Sequence, residues 1–382
     1  MIVILNTIFI GAIAGVLYAY FGYPVLLLII SVFKKNKVVK LEYQPNISVI
    51  ITAYNEEIRI REKIENTMHL NYPSEKMQII VTSDGSTDNT NSIIREYSGE
   101  RILFLEVTER RGKENAQKEA LKFSTGEIIV FSDVATIIDK NGISEIVANF
   151  ADPSIGCVSG MDRVITETDD QKGGEGAYVK YEMALRVLES DVNTVVGLSG
   201  SFFAARKEVC SDFSDRMDSD FRTLLNSRKI GLRGLVDPAA IGYYKALNDP
   251  RREYSRKVRT VIRGLTVFFN SIEFCNVFKY GLFSWQYVSH KLFKWLVPFF
   301  LVAAFISNAF LAFKNTIFFL TFILQFALYV MAALPFYYKK LDNLVLIKIS
   351  HFFVSSNLAI MIAWCKFLKG ERIVIWQPSK RN

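Results

Sequence analysis

The chain opens with an apolar run, Met1 to Phe33, that contains no Asp, Glu, Lys or Arg. It is longer than the roughly 20 residues that cross a bilayer core as a helix. Residues 1–33 are therefore expected to form an N-terminal transmembrane segment. No basic stretch precedes the run and no small-residue cleavage site follows it, which argues against a secretory leader. Lys34, Lys35, Lys37 and Lys40 follow at once. A basic cluster beside a span marks the cytoplasmic side, so the next domain is expected inside. Two further charge-free runs, Trp295 to Phe313 and Asn315 to Tyr338, precede a third apolar run, Leu344 to Phe367. The third is broken by Lys348, His351 and Lys366. Together they predict C-terminal transmembrane segments over 292–367. One span before the inner domain and three after it put the C-terminus outside. The basic tail, 368–382, carries Lys369, Arg372, Lys380 and Arg381, which favour the inside. A re-entrant last segment would reconcile the two.

Between these blocks the pattern changes to short β-rich runs alternating with helical ones. Ile47–Thr52, Met77–Thr82, Ile102–Val107 and Glu127–Phe131 read as strands. Ile58–Leu70, with apolar positions at Ile58, Ile60, Ile64 and Met68, reads as a helix. So do Thr87–Tyr97, with Thr87 as cap, and Lys113–Phe123. Strand and helix in alternation imply parallel strands joined by right-handed crossovers. The fold class is α/β, and residues 41–263 are long enough to bury their own core. Residues 264–291 are expected to form an interfacial helical segment. Val267, Phe268, Ile272 and Phe274 to Phe278 suit a helix lying in the interface, with Trp285 and Tyr287 at head-group level. A core helix is the competing reading.

Composition narrows the function classes. Of 382 residues, 50% are hydrophobic and 22% charged, with 30 Phe and only 9 Pro, which excludes a disordered chain. Cys157, Cys210, Cys275 and Cys365 form no close pair and there are three histidines, so no zinc site is signalled. The net charge of +8 fits a protein held against anionic lipid head groups. No nucleic-acid partner is expected, because that would need the charge on a soluble basic face.

A parallel sheet binds ligands beyond the carboxyl ends of its strands. Those ends carry Tyr54-Asn55-Glu56-Glu57, Ser83-Asp84-Gly85-Ser86-Thr87-Asp88 and Ser132-Asp133-Val134-Ala135-Thr136. Tyr54 and Asp84 could stack on and hydrogen-bond a nucleobase. Asp133 could hold a hard cation against phosphate oxygens. Each loop taken alone is also ordinary turn chemistry. Three acid-bearing loops at equivalent ends of one sheet point to a site.

These residues resemble a membrane-bound family 2 glycosyltransferase with a GT-A fold. Ile51 to Glu57 is similar to the family's opening strand and loop, and Ser83 to Asp88 to its second signature. Arg111-Gly112-Lys113 resembles the basic loop that contacts the donor diphosphate. Ser132-Asp133 falls where the Asp-x-Asp motif begins. Gly197-Leu198-Ser199-Gly200-Ser201 resembles the small-residue segment near the acceptor pocket. Asp218-Ser219-Asp220-Phe221 falls where the family keeps a catalytic acid. The flanking spans resemble those of hyaluronan, chitin and cellulose synthases.

The resemblance implies a Rossmann-like, mainly parallel GT-A domain on the cytoplasmic side of the cell membrane, in a multi-pass protein. It implies transfer of a sugar from a nucleotide-sugar donor, most often a UDP-sugar, with inversion, to a lipid-linked or growing glycan acceptor in polysaccharide synthesis. Asp220 is assigned as the base, with Asp218 as competitor and a helix N-terminal acid as the plain alternative. Donor contacts are assigned to Tyr54, Glu56, Asp84, Lys113, Asp133, Arg256 and Arg259, and acceptor contacts to Gly200 and Ser201. A divalent cation, Mg or Mn, would sit on Asp133. Two departures stand out. The second acid of Asp-x-Asp is Ala135. The processive Gln-x-x-Arg-Trp signature has Arg256 for Gln and Thr260 for Trp and keeps only Arg259, which puts long-chain synthesis in doubt. The run Arg251, Arg252, Arg256, Lys257, Arg259 and Arg263 also reads as a solvated basic face near lipid. An inactive relative acting as a membrane scaffold is the alternative function, supported mainly by Ala135.

Overall fold

The computed structural model describes residues 1–99, 101–165, 174–245, 250–338, 341 and 344–373. Lys380 and Arg381 of the tail lie outside them. The strands are β1 (Ile47–Ala53), β2 (Met77–Asp84), β3 (Ile102–Val107), β4 (Ile128–Asp133), β5 (Ile137–Ile138), β6 (Ile155–Ile165), β7 (Phe202–Arg206) and β8 (Arg233–Lys245). They form one sheet in the order β3-β2-β1-β4-β7-β6-β8-β5. The first four are mutually parallel, as the alternating pattern predicts. β7 runs antiparallel to both β4 and β6, while β6 and β8 are parallel.

The helices are α1 (Ile2–Phe33), α2 (Ile60–Met68), α3 (Thr90–Glu96), α4 (Lys113–Lys122), α5 (Gly142–Ala148), α6 (Gly174–Val192), α7 (Ser219–Lys229), α8 (Pro250–Phe269), α9 (Leu282–Leu311), α10 (Thr316–Tyr337) and α11 (Val345–Leu368). The sheet is covered on both faces, which is why its strands read as nearly unbroken apolar runs. Val49 and Ile51 pack with Ile60 and Ile64 of α2 and with Ile143 and Ile146 of α5. Ile50, Ile129 and Phe131 face the other way, toward Ala120 of α4 and Leu224 of α7.

Register then fixes the site. Thr52 pairs with Asp133 and Ala53 with Ser83, so the loops after β1, β2 and β4 leave the sheet side by side. Local boundaries differ from the sequence reading in two places. Ile58 is exposed and α2 begins at Ile60. Asn89, not Thr87, stands at the start of α3. The Thr87 backbone N–H donates instead to Asn55 Oδ1 at 2.8 Å, tying the first loop to the second.

Four helices are long and apolar enough to cross a membrane: α1, α9, α10 and α11. Two of them also grip the sheet domain. α1 buries Tyr23 and Leu27 against Leu185 and Val192 of α6. α11 packs Ala359 and Ala363 on Val258 and Ile262 of α8. Part of the basic cluster after α1 is spent on the domain, with Lys35 pairing Asp191 at 3.3 Å and Lys40 pairing Asp237 at 2.8 Å.

The stretch 264–291 is not one interface helix. Its first residues finish α8, and α9 starts at Leu282, ten residues before the Leu292 that the charge pattern suggested. Val267, Phe268 and Phe274 are buried with Val196 and Phe221, so the core reading holds for them. Tyr287 is fully buried, and Trp285 Nε1 donates to Tyr18 on α1 at 2.9 Å. Of the apolar residues in the connecting turn, Ile272, Val277 and Phe278 are exposed.

Gly126 fixes how closely the turn before β4 approaches β1. A Cβ there would lie 2.4 Å from the Ile47 carbonyl carbon and from the Ser48 nitrogen, both backbone atoms. Gly126→Ala should therefore destabilise the domain by about 1–3 kcal/mol, the usual range for overpacking. A lowered midpoint in thermal unfolding of the purified chain checks it; an unchanged midpoint contradicts this packing.

Candidate active site

A cleft of about 320 Å³ opens at the carboxyl ends of β1 and β4. Glu56 from the first loop, Lys113 and Glu114 from α4, and Asp133 and Ala135 from the third loop line one part of it. Ser199, Gly200 and Ser201, Asp218 and Asp220 at the start of α7, and Arg256, Arg259, Thr260 and Arg263 of α8 line the rest. Residues far apart in sequence therefore meet because three loops, two helix starts and one helix face converge on one sheet edge.

Asp220 is a half-buried acid of the cleft. Its first-turn position on α7 follows from Asp218 preceding the helix. Gly200 makes room for it: a Cβ on Gly200 would lie 2.6 Å from Asp220 Oδ2. Burial, with the Asp218 carboxylate close by, pushes its pKa up to about 7, against the pull of Lys113 and Arg263. A carboxylate poised there can hold or release a proton near neutral pH. Asp218, the competing candidate, is engaged by Arg263 at 2.6 Å.

Lys113 and Asp133 form an ion pair of 2.5 Å, and Lys113 Nζ also donates to the Gly200 carbonyl at 2.9 Å. Burial works against the lysine charge, but the facing Asp133 more than offsets it and raises the ammonium above its usual range. Arg263 bridges two acids, Glu114 and Asp218. Burial works against its charge too, and those two carboxylates hold it above the usual arginine range. Arg259 sits one turn away on the same face, where burial and the neighbouring Arg263 and Arg256 lower its pKa. Such a crowd of cations in one cleft favours a polyanionic ligand. Arg256 is held by Glu253 at 2.7 Å. Glu56 accepts from Arg59 at 2.6 Å, and burial raises its pKa.

Tyr54 and Asp84 are not among the lining residues, so they stand behind the cleft rather than in it. Asp84 is buried and accepts the backbone N–H groups of Arg111 at 2.9 Å and Gly112 at 2.8 Å. Gly112 has φ of 103°, a conformation that suits glycine, and its turn presents both N–H groups to the one carboxylate. Asp84 thereby aims the start of α4, and with it Lys113. Tyr54 has the Arg110 guanidinium 3.7 Å above its ring.

Three further residues belong to the site. Asp162, from β6, accepts the hydroxyls of Ser199 at 2.6 Å and of Ser201, fixing the segment that carries Gly200. Lys63 of α2 is fully buried and donates to Ser132 Oγ at 2.7 Å and to the Thr136 carbonyl at 2.6 Å, clamping the Asp133 loop from below. Burial lowers its pKa to about 7. Its signal in sequence was a lysine on the apolar stripe of α2, between Ile60 and Ile64. Arg186 of α6 also lines the cleft, and no spacing pattern pointed to it.

For a divalent cation the donor set is sparse. Among the described residues no group of three His, Cys, Asp or Glu side chains is placed to hold a metal ion. Ala135 lines the cleft and offers no oxygen side chain. The Asp133 carboxylate fits as a single protein ligand, the remaining oxygens coming from a bound polyphosphate and water.

Residues 48–213 match the model described as Glycosyl transferase family 2. Poly-beta-1,6-N-acetyl-D-glucosamine synthase from Staphylococcus aureus is 28% identical over 232 residues, covering 58% of this chain and 53% of that protein. The synthase of the same name from Staphylococcus epidermidis is 31% identical over 136 residues, 35% of this chain and 32% of that one. The chain thus spans about half the length of the first of these relatives, 53%. Among solved structures, a mannosyltransferase from Pyrobaculum calidifontis in complex with GDP-Man and Mn2+ shares the fold, with a TM-score of 0.76 at 23% identity, over 96% of this chain and 100% of that one. With the mostly parallel sheet and strand-end cleft, residues 48–213 thus match a glycosyl transferase family 2 domain, and the chain shares the fold of that mannosyltransferase.

Proposed function

We propose that the chain is a multi-pass membrane glycosyltransferase of cell-surface polysaccharide synthesis. It moves a sugar from a nucleotide-sugar, of the UDP-sugar class, with inversion, to a hydroxyl of a lipid-linked or growing glycan. The observation that carries this reading is the arrangement around Asp220. A half-buried acid with a pKa pushed up to about 7 shares one cleft with the Lys113–Asp133 pair and the Arg256–Arg259–Arg263 face. The family match and the polysaccharide synthases among the relatives support it. The four apolar helices support a membrane location, and the lysine cluster that follows α1 supports placing the catalytic domain on the cytoplasmic side.

In this reading Asp220 takes the proton from the attacking hydroxyl, and Gly200 and Ser201 seat that acceptor. Lys113, Arg256 and Arg259 hold the donor diphosphate and stabilise it as it leaves. Glu56 serves the donor from the cleft wall, and Tyr54 and Asp84 from outside its lining, Asp84 by fixing the Arg111–Gly112 turn. A Mg or Mn ion on Asp133 would supply further charge neutralisation when bound. Donor and acceptor held in line turn a bimolecular step into a nearly unimolecular one. Asp162 and Lys63 act through the loops they fix.

Purified full-length chain, incubated with a panel of radiolabelled nucleotide-sugars and membrane lipid, is expected to label a glycan or glycolipid. Failure of every donor to be transferred or hydrolysed favours an inactive scaffold, the reading that Ala135 supports. Asp220→Asn should keep donor binding and lose transfer by about a hundred- to ten-thousand-fold, the range of a general base. Near-normal turnover removes Asp220 from that role.

The raised pKa of Asp220 has a stability consequence of definite sign. The folded state keeps the proton up to about pH 7, whereas an unfolded Asp releases it near pH 4. The native protein binds more protons across that window, so this group lowers stability as pH rises from about 4 to 7. Asp220→Asn should therefore raise the melting temperature more at pH 8 than at pH 5. An equal shift at both, or a larger one at pH 5, contradicts the assigned protonation. For the cation, transfer should fall on adding excess chelator and return with Mg or Mn; full activity in chelator excludes it.

A further inference from the structure

Beside the cleft, where α6 meets α9, lies a group of charges that the donor chemistry leaves unused. Glu182, Arg186 and Glu189 lie on one face of α6, spaced four and three residues apart. Lys291 and Lys294 lie on the first turns of α9, with His290 between them and α6. Both carboxylates are already occupied. Glu182 takes Lys294, and His290 Nε2 at 3.2 Å. Glu189 accepts from Tyr23 Oη at 2.5 Å and from the Val196 N–H at 3.2 Å, and meets His290 Nδ1 at 2.6 Å.

That leaves Arg186 and Lys291. Arg186 lines the cleft, yet its Nε and Nη1 are buried without a hydrogen-bond partner. Two unsatisfied guanidinium nitrogens are costly. The Lys291 ammonium rests over the Phe221 ring at 4.7 Å. It stands 3.0 Å from where a Cβ on Gly197 would lie, so the small residue gives it room. Among the described residues neither cation has a carboxylate within ion-pair distance. The charges of Arg186, Glu182, Glu189 and Asp220 all act on Lys291. Three basic side chains, Arg186, Lys291 and Lys294, thus share two carboxylates beside the base. This group is distinct from Arg256, Arg259 and Arg263, whose charges act on one another and on Asp218.

We infer that Arg186 and Lys291 form an anion subsite for the phosphate of a lipid-linked acceptor. A phosphate oxygen pair satisfies a guanidinium edge bidentately and an ammonium at once. The position suits a ligand arriving from the bilayer. The subsite adjoins α1 and α9, where Tyr18 bonds Ser289 at 2.7 Å, and both helices are apolar enough to lie in lipid. The subsite positions the acceptor; it does not take part in proton transfer. It rests on the glycosyltransferase reading and narrows its acceptor to one bearing a phosphate.

The test uses the full chain in nanodiscs with UDP present to fill the donor side. The probes are a short-chain prenyl phosphate, the matching uncharged prenol and inorganic phosphate. Prenyl phosphate should bind the native chain at least about tenfold more tightly than either, and Arg186→Gln and Lys291→Gln should each lose about tenfold or more, as for a charged hydrogen bond. UDP affinity should stay within about twofold in both variants, which also reports folding, and Lys291→Arg should restore much of the loss. Equal binding of prenol, or native-like binding of prenyl phosphate by the Gln variants, overturns the subsite. Inorganic phosphate binding as tightly as prenyl phosphate overturns the lipid source. If UDP binds but prenyl phosphate does not, the subsite falls while the transferase reading stands. If UDP itself fails to bind, the reading of the cleft falls with it.

Discussion

The cleft depends on Arg263 being neutralised. Its guanidinium, on α8, reaches Glu114 on α4 and Asp218 before α7, so three helices from different parts of the chain are pinned at one point. Both Arg263 and Glu114 are buried. Removing one partner from such a buried set leaves an uncompensated charge and costs about 3–5 kcal/mol. The triad also divides the labour between two acids two residues apart. Asp218 is committed to Arg263, and Asp220 is left to face the cleft with a raised pKa. Without Arg263, Asp218 would lose its partner and press its charge on Asp220.

The surrounding shell repeats this logic of support from behind. Asp84 spends its carboxylate on the turn that starts α4. Lys63 spends its ammonium on the Asp133 loop. Asp162 spends both oxygens on two serines that flank Gly200. Each fixes a loop through buried hydrogen bonds, so the residues at the cleft surface are held by charges one layer deeper. The helices that suit a bilayer are joined to this shell, through Tyr23 on Glu189 and through the packing of α11 on α8. The cleft and the helices apolar enough to cross a membrane are thus packed together.

Much of this was legible in sequence. The strands β1 to β4 and their helices followed from the alternation of apolar runs, and the strand-end rule located the loops that carry Glu56 and Asp133. Asp220 and Arg259 were legible through resemblance. What failed was local. Thr87 looked like a helix cap, but a tertiary bond to Asn55 moved the helix start to Thr90. Tyr287 looked interfacial, but it stacks on Phe268 with centroids 4.6 Å apart in the core. Asp84, read as a donor contact, also accepts two backbone N–H groups that no linear pattern reveals. Asp162, Lys63 and Arg186 carry no motif. Their roles arise from where β6, α2 and α6 are set by long-range pairing.

The central claim is that the cleft between Lys113, Asp133, Asp220 and Arg259 is the nucleotide-sugar site. An experimental structure of the full chain with UDP and Mn2+ tests it most directly. The account predicts diphosphate density against Lys113 and Arg259 with the metal on Asp133, and Asp220 open toward the acceptor side. Nucleotide bound on another surface, with this cleft occupied only by solvent, would contradict it.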